Sequence, residues 1–107
     1  VIKIVILYPN QPGTHFDLRY YVEKHMPDSI ARLSAHPGFR GVSVEGGISG
    51  AEPGSQPEYV AMCEYLFNST QEFLDAFLPH AEILQGDIPN YTNVAPIIQI
   101  NEILITR

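Results

Sequence analysis

Apolar residues crowd the first eight positions, VIKIVILY, and only Lys3 interrupts them. Val1, Val5 and Leu7 fall on one side of a strand and Ile2, Ile4 and Ile6 on the other, so both faces need cover. Glu58 to Phe67 (EYVAMCEYLF) repeats the pattern. Tyr59, Ala61, Cys63, Tyr65 and Phe67 share one face there, and Val60, Met62, Glu64 and Leu66 the other. Phe39 to Glu45 alternates apolar and polar as a half-buried strand does, with Gly41 marking a bulge. Ala95 to Ile105 reads as the last strand, with Pro96 near its start, where a missing donor matters least. Gly46 to Pro57 is rich in Gly and Pro and reads as a long hairpin loop.

Helical spacing fills the gaps between these strands. Thr14 and Asp17 have the separation of a capping pair. After them Leu18, Tyr21, Val22 and His25 recur at about 100° per residue, as one apolar stripe. Pro27 suits the first turn of a second helical piece carrying Ile30, Ala31 and Leu33. His36-Pro37-Gly38 ends it. Ser69 and Glu72 make a second capping pair, followed by a stripe of Phe73, Phe77, His80 and Leu84. Pro79 is expected to kink that helix and Gly86 to cap it. Asp87 to Asn93 then reads as a turn-rich loop.

The resulting order, β-α-β-β-α-β, is the ferredoxin-like plan, an α+β fold with an antiparallel sheet. Its two central strands are the first and third, the two that are apolar on both sides. Both helices cover one face, so the other would leave a large apolar area bare. A second copy packed sheet to sheet is the economical cover, and a homodimer is expected.

Composition narrows the function. The 107 residues make one domain, 1–107, with twelve acids against six bases and a net charge of -6. That balance argues against nucleic acid and anionic membranes, which call for clustered Lys and Arg. No apolar run approaches the roughly 20 residues of a membrane span. No stretch reads as a leader, and the one cysteine, Cys63, has no internal partner. A cytoplasmic domain is expected.

The chemistry centres on a histidine placed where burial is expected. His25 on the first stripe and His80 on the second should both face the space between helices and sheet. A neutral imidazole there can shuttle a proton near pH 7. Tyr21, one turn earlier, is the candidate partner or oxyanion donor. Phe73, Phe77 and His80 are the candidate pocket lining. A core histidine bonded to a backbone carbonyl explains the same pattern and stays open beside it. Glu64 lines a pocket or the dimer seam, or pairs with Lys3 or Arg40. A metal set of His25, His80 and Glu64 lacks supporting spacing, and no metal site is expected. No dinucleotide fingerprint or nucleophile elbow is present, and no cofactor is called for.

The stretches Tyr8-Pro9, Phe16-Asp17, Tyr20-Tyr21, His25 and Pro27, with Asp87-Ile88-Pro89-Asn90-Tyr91-Thr92, resemble the EthD family across the whole chain. That resemblance implies a dimeric α+β barrel. It matches His25 to the family's helix-one histidine and Tyr20 and Tyr21 to its tyrosine pair. Tyr20 and Tyr91 thereby join the candidate substrate-binding residues. The family is named for a component linked to bacterial ether degradation, and its members are often labelled oxidoreductases. The wider fold includes cofactor-free monooxygenases, lactone isomerases, polyketide-tailoring enzymes and haem enzymes. Three readings follow. One is an enzyme transforming a small apolar or aromatic molecule by cofactor-free proton transfer or oxygenation. The second is a non-catalytic carrier or accessory module of an oxidative pathway. The third is a haem or metal protein using His25 or His80.

Overall fold

Four strands pair in the order β2-β3-β1-β4, every pair antiparallel, in a computed structural model that describes residues 1–107. The strands are β1 (Ile2–Pro9), β2 (Phe39–Gly46), β3 (Tyr59–Phe67) and β4 (Ile97–Glu102). The two strands apolar on both faces, β1 and β3, do lie at the centre, with Ile4 opposite Tyr65 and Ile6 opposite Cys63. Together with the two helical segments between them, this is the ferredoxin-like order. The β2–β3 register shifts between Phe39 and Gly41, and Gly41 takes a φ of 156°, so the bulge falls at the glycine.

Burial separates the sheet's faces. Ile4, Tyr8, Ala61, Cys63, Tyr65 and Phe67 are buried and join helix residues Tyr21, Met26, Leu33, Phe73 and Leu84 in one core. On the opposite face Val5, Leu7, Val60, Met62 and Leu66 are only half-buried, and Ile97 is 48% exposed.

The first helix departs from the expected stripe. It begins at Leu18, and its cap is Asp17, whose carboxylate accepts from the Tyr20 N–H at 3.0 Å. Thr14 instead accepts from the Gln11 N–H in the preceding turn. Residues Tyr21–His25 form a π turn, in which the Met26 N–H donates five residues back to the Tyr21 carbonyl. An α-helical run follows from Met26 to Leu33, with Pro27 in its first turn. The π turn upsets the 100° spacing: Tyr21 and His25 are buried, while Leu18 is 42% and Val22 55% exposed.

The second helical segment opens on the Ser69 cap, whose hydroxyl accepts from the Glu72 N–H at 3.2 Å. An α-helix spans Thr70–Phe77. Pro79 does not end it but tightens Leu78–His80 into a 3₁₀ turn, after which Ala81–Asp87 is α-helical again. Gly86 is not the cap, because the chain continues as a 3₁₀ turn over Ile88–Asn90. The segment 88–90, expected as loop, is therefore helical and brings Asp87 over the first helix.

Candidate functional site

Two stretches far apart in sequence are stitched together by their backbones. The Asp17 N–H donates to the Tyr91 carbonyl at 2.7 Å, and the Thr92 hydroxyl donates to the His15 carbonyl at 2.7 Å. The His15 N–H donates to the Asn93 side chain at 2.8 Å. These bonds fix the entry of the first helix against the exit of the second.

The contact they support is an acid–imidazole pair. His25 is 8% exposed, and its Nδ1 lies 2.9 Å from an Asp87 carboxylate oxygen. Asp87 also accepts from the Tyr20 hydroxyl at 2.6 Å and from the Asn90 amide at 2.9 Å. Partial burial alone would push the Asp87 carboxyl up. The bonds from Tyr20, Asn90 and His25 outweigh it and hold the group below its usual value. The carboxylate is therefore ionised at neutral pH, and the neutral imidazole carries its proton on Nδ1 and its lone pair on Nε2.

The sign of the linkage follows. Asp87 contributes stability that is present above its ordinary value of 3.8 and is lost as pH falls through its lower folded value. The stability gap between the wild type and Asp87→Asn is expected at pH 7 and should shrink in urea titrations run below about pH 4. A gap unchanged across that range would show that the charge is not what Asp87 contributes.

Aromatic rings hold the imidazole in place. The Tyr21 ring stacks on it at 5.8 Å between centroids and 12° between planes, and Tyr91 meets it at 4.7 Å. Tyr8 and Tyr91 share a hydroxyl–hydroxyl bond of 2.5 Å behind that stack. Burial raises the Tyr8 phenol to about 12 and pushes Tyr21 and Tyr91 higher still, so all three stay protonated. The Tyr21 hydroxyl itself has no hydrogen-bond partner.

In front of His25 lies a cavity of about 300 Å³ between the helices and the sheet. Ile4 and Ile6 of β1 and Ile98 and Ile100 of β4 line its sheet side, and Met26, Phe73, Phe77 and Leu84 are among its helix walls. Exposed Leu78, Ile98 and Ile100 form its mouth. The arrangement offers an imidazole, oriented by a carboxylate, at the wall of an apolar chamber.

Of the residues singled out from the sequence, His25, Tyr21, Phe73 and Phe77 are all in that wall. Four others are not. Tyr20 lies behind the wall, on Asp87. Tyr91 is buried beneath the His25 ring. His80 does not join His25, because the 3₁₀ turn at Pro79 swings it to Arg32, whose guanidinium donates to its Nδ1 at 3.1 Å. Glu64 is on the far face of the sheet. It accepts from Ser43 at 2.7 Å and pairs with neither Lys3 nor Arg40. The metal set of His25, His80 and Glu64 is thus scattered, and no cluster of three His, Cys, Asp or Glu is close enough to hold an ion. Cys63 is buried in the wall, and burial raises its thiol to about 12, which suits packing and not nucleophilic attack.

Asp87 is the site residue that sequence reasoning missed. Its signal was present, as the first residue of a motif for which local turn chemistry offered no role.

Comparison with solved structures supports the architecture. An EthD-like protein from Ralstonia eutropha JMP134 matches with a TM-score of 0.90 and 39% identity, over 99% of this chain and 94% of that one. An ethyl tert-butyl ether D (EthD) family protein from Bacillus halodurans C-125 matches with a TM-score of 0.61 and 18% identity, over 96% and 98%. SnoaB, a cofactor-independent oxygenase from Streptomyces nogalater, matches at 0.64 and 14%, over 98% and 94%. These last two show a shared fold. No family model matches the sequence, and no curated protein does. No helix is long and apolar enough to cross a membrane.

Proposed function

The chain belongs to the EthD family, and from that premise we propose that it binds and transforms a small, largely apolar or aromatic molecule, with His25 as general acid–base. The observation that carries this reading is the 2.9 Å bond from Asp87 that orients His25, whose imidazole is set in the wall of an apolar cavity of about 300 Å³. Proton transfer needs a positioned group that can both take and give a proton, and a buried imidazole oriented by a carboxylate is such a group. Asp87 fixes the tautomer, Tyr20 and Asn90 fix Asp87, and Tyr21 holds the ring flat. The likeness to a cofactor-independent oxygenase fits chemistry in which the protein supplies only a base and a dry chamber.

The test is a compound screen for turnover with wild type and His25→Ala. Turnover that disappears in the variant supports the proposal. Tight binding without conversion in either protein would favour the accessory-module reading instead.

The proposed active form is a homodimer joined through the sheet face that bears Val5, Leu7, Met62 and Leu66. These side chains are half-buried on a face that no helix covers. Light scattering at micromolar concentration is expected to give twice the monomer mass, and Leu7→Lys to lower it. A wild type that stays monomeric would remove this part of the proposal. The single buried thiol suits a reducing compartment, and the cytoplasm is the proposed location.

A further inference from the structure

The polar groups on the cavity wall are few, and most are already committed. The Tyr8 hydroxyl is bonded to Tyr91, and the Tyr65 hydroxyl to Ser29 at 2.7 Å. The Tyr21 hydroxyl is unpartnered but fully buried, and so is not presented to the cavity; the lining side chains that do present an uncommitted polar atom are His25, through Nε2, and Gln85 at the exposed mouth. None of the six Lys and Arg residues lines the cavity. Arg19 pairs with Glu23 and Arg32 with Asp28, Lys24 lies over the Tyr20 ring, and Arg40 donates to Asn68.

These facts restrict the ligand in two ways. A carboxylate or phosphate would enter an apolar chamber with no Lys or Arg to meet it, and with the Asp87 charge behind the imidazole. Burying an unpaired anion is costly, so such a ligand is disfavoured. The second restriction comes from the direction of the hydrogen bond. With Nδ1–H given to Asp87, Nε2 presents a lone pair and accepts. A ligand group that only accepts, such as an ether oxygen, leaves that lone pair buried and unmatched.

We infer that the cavity selects an uncharged molecule whose apolar body carries an O–H, a phenol or enol, donated to His25 Nε2. This deepens the acid–base reading and rests on it, since the bound O–H is the proton His25 would take. The bond that forms is N–H on Nε2, and the bond that breaks is the ligand's O–H. The product is an oxyanion paired with imidazolium, so charge is conserved and no other reagent takes part.

Three probes of one shape separate the possibilities: 2-naphthol, 2-methoxynaphthalene and 2-naphthoate. Binding is measured by calorimetry to wild type and to His25→Phe, which keeps a ring in the wall. The alcohol is expected to bind wild type about tenfold more tightly than the methyl ether or the carboxylate. In His25→Phe the alcohol should fall to the affinity of the ether. Equal binding of alcohol and ether to wild type overturns the O–H requirement and leaves the cavity reading intact. Tightest binding by the carboxylate overturns the exclusion of anions. Binding of none of the three overturns this inference together with the cavity reading beneath it.

Discussion

His25→Ala is expected to lower turnover by about 10²–10⁴, the usual contribution of one positioned acid–base group. The fold should survive, because the imidazole lies at a cavity wall and its removal enlarges a space that already exists. Asp87→Asn should give a smaller loss. An amide oxygen still accepts the Nδ1 proton, but the negative charge that stabilises an imidazolium is gone. The two changes act on one pair, so the double variant should lose little more than His25→Ala alone. Turnover and far-UV circular dichroism, measured on the same samples, check both statements. Activity that survives His25→Ala would remove His25 from the catalytic role. Losses that add in the double variant would mean that Asp87 works independently of His25.

Phe67→Ala is expected to cost about 3–5 kcal/mol, out of a total that for a domain of this size is about 5–15. Phe67 is fully buried, at the end of β3. Its ring meets Phe73 at 5.5 Å, Phe39 at 5.8 Å and Tyr65 at 6.4 Å, so it joins two strands to the second helix. Those neighbours are aromatic and anchored in different elements, which leaves little room for collapse into the gap. Urea unfolding should show a large fall in midpoint with an unchanged slope. A shift worth less than about 1 kcal/mol would mean that the aromatic cluster repacks freely.

The sheet was legible because strand faces follow a period of two, and that period holds whatever the neighbours are. The apolar character of both faces of β1 and β3 was enough to place them at the centre. Helical faces were less secure. A stripe drawn at 100° per residue assumes α geometry throughout, and both helical segments break it: the first by a π turn at Tyr21–His25, the second by a 3₁₀ turn at Leu78–His80. His80 was lost to that second turn. Pro79 signalled a disturbance, but not that it would rotate the next side chain towards Arg32. For Glu64 the pocket and the pairing with Lys3 or Arg40 failed for a different reason, and its far-face position leaves the seam alternative open. Strand register puts Lys3 opposite Leu66 and Glu64 opposite Val5 and Ser43, and register cannot be counted until the pairing is known. Asp87 reaches His25 across 62 positions of sequence. No local pattern encodes such a meeting, and only the resemblance to a family pointed at that stretch.

The π turn has a consequence for how this site can change. In an α-helix, residues four apart are offset by about 40° around the axis, whereas across the wider turn Tyr21 and His25 both face the core, where their rings stack. The alignment is therefore stored in the number of backbone units between Asp17 and Pro27, not in any one side chain. Substitutions along the helix leave that number alone. A one-residue deletion there is expected to relax the segment to α geometry and turn His25 from Asp87, which a loss of turnover with unchanged far-UV circular dichroism would check. For this protein, the loss of a single codon in a helix is a more radical edit than most replacements of its surface residues.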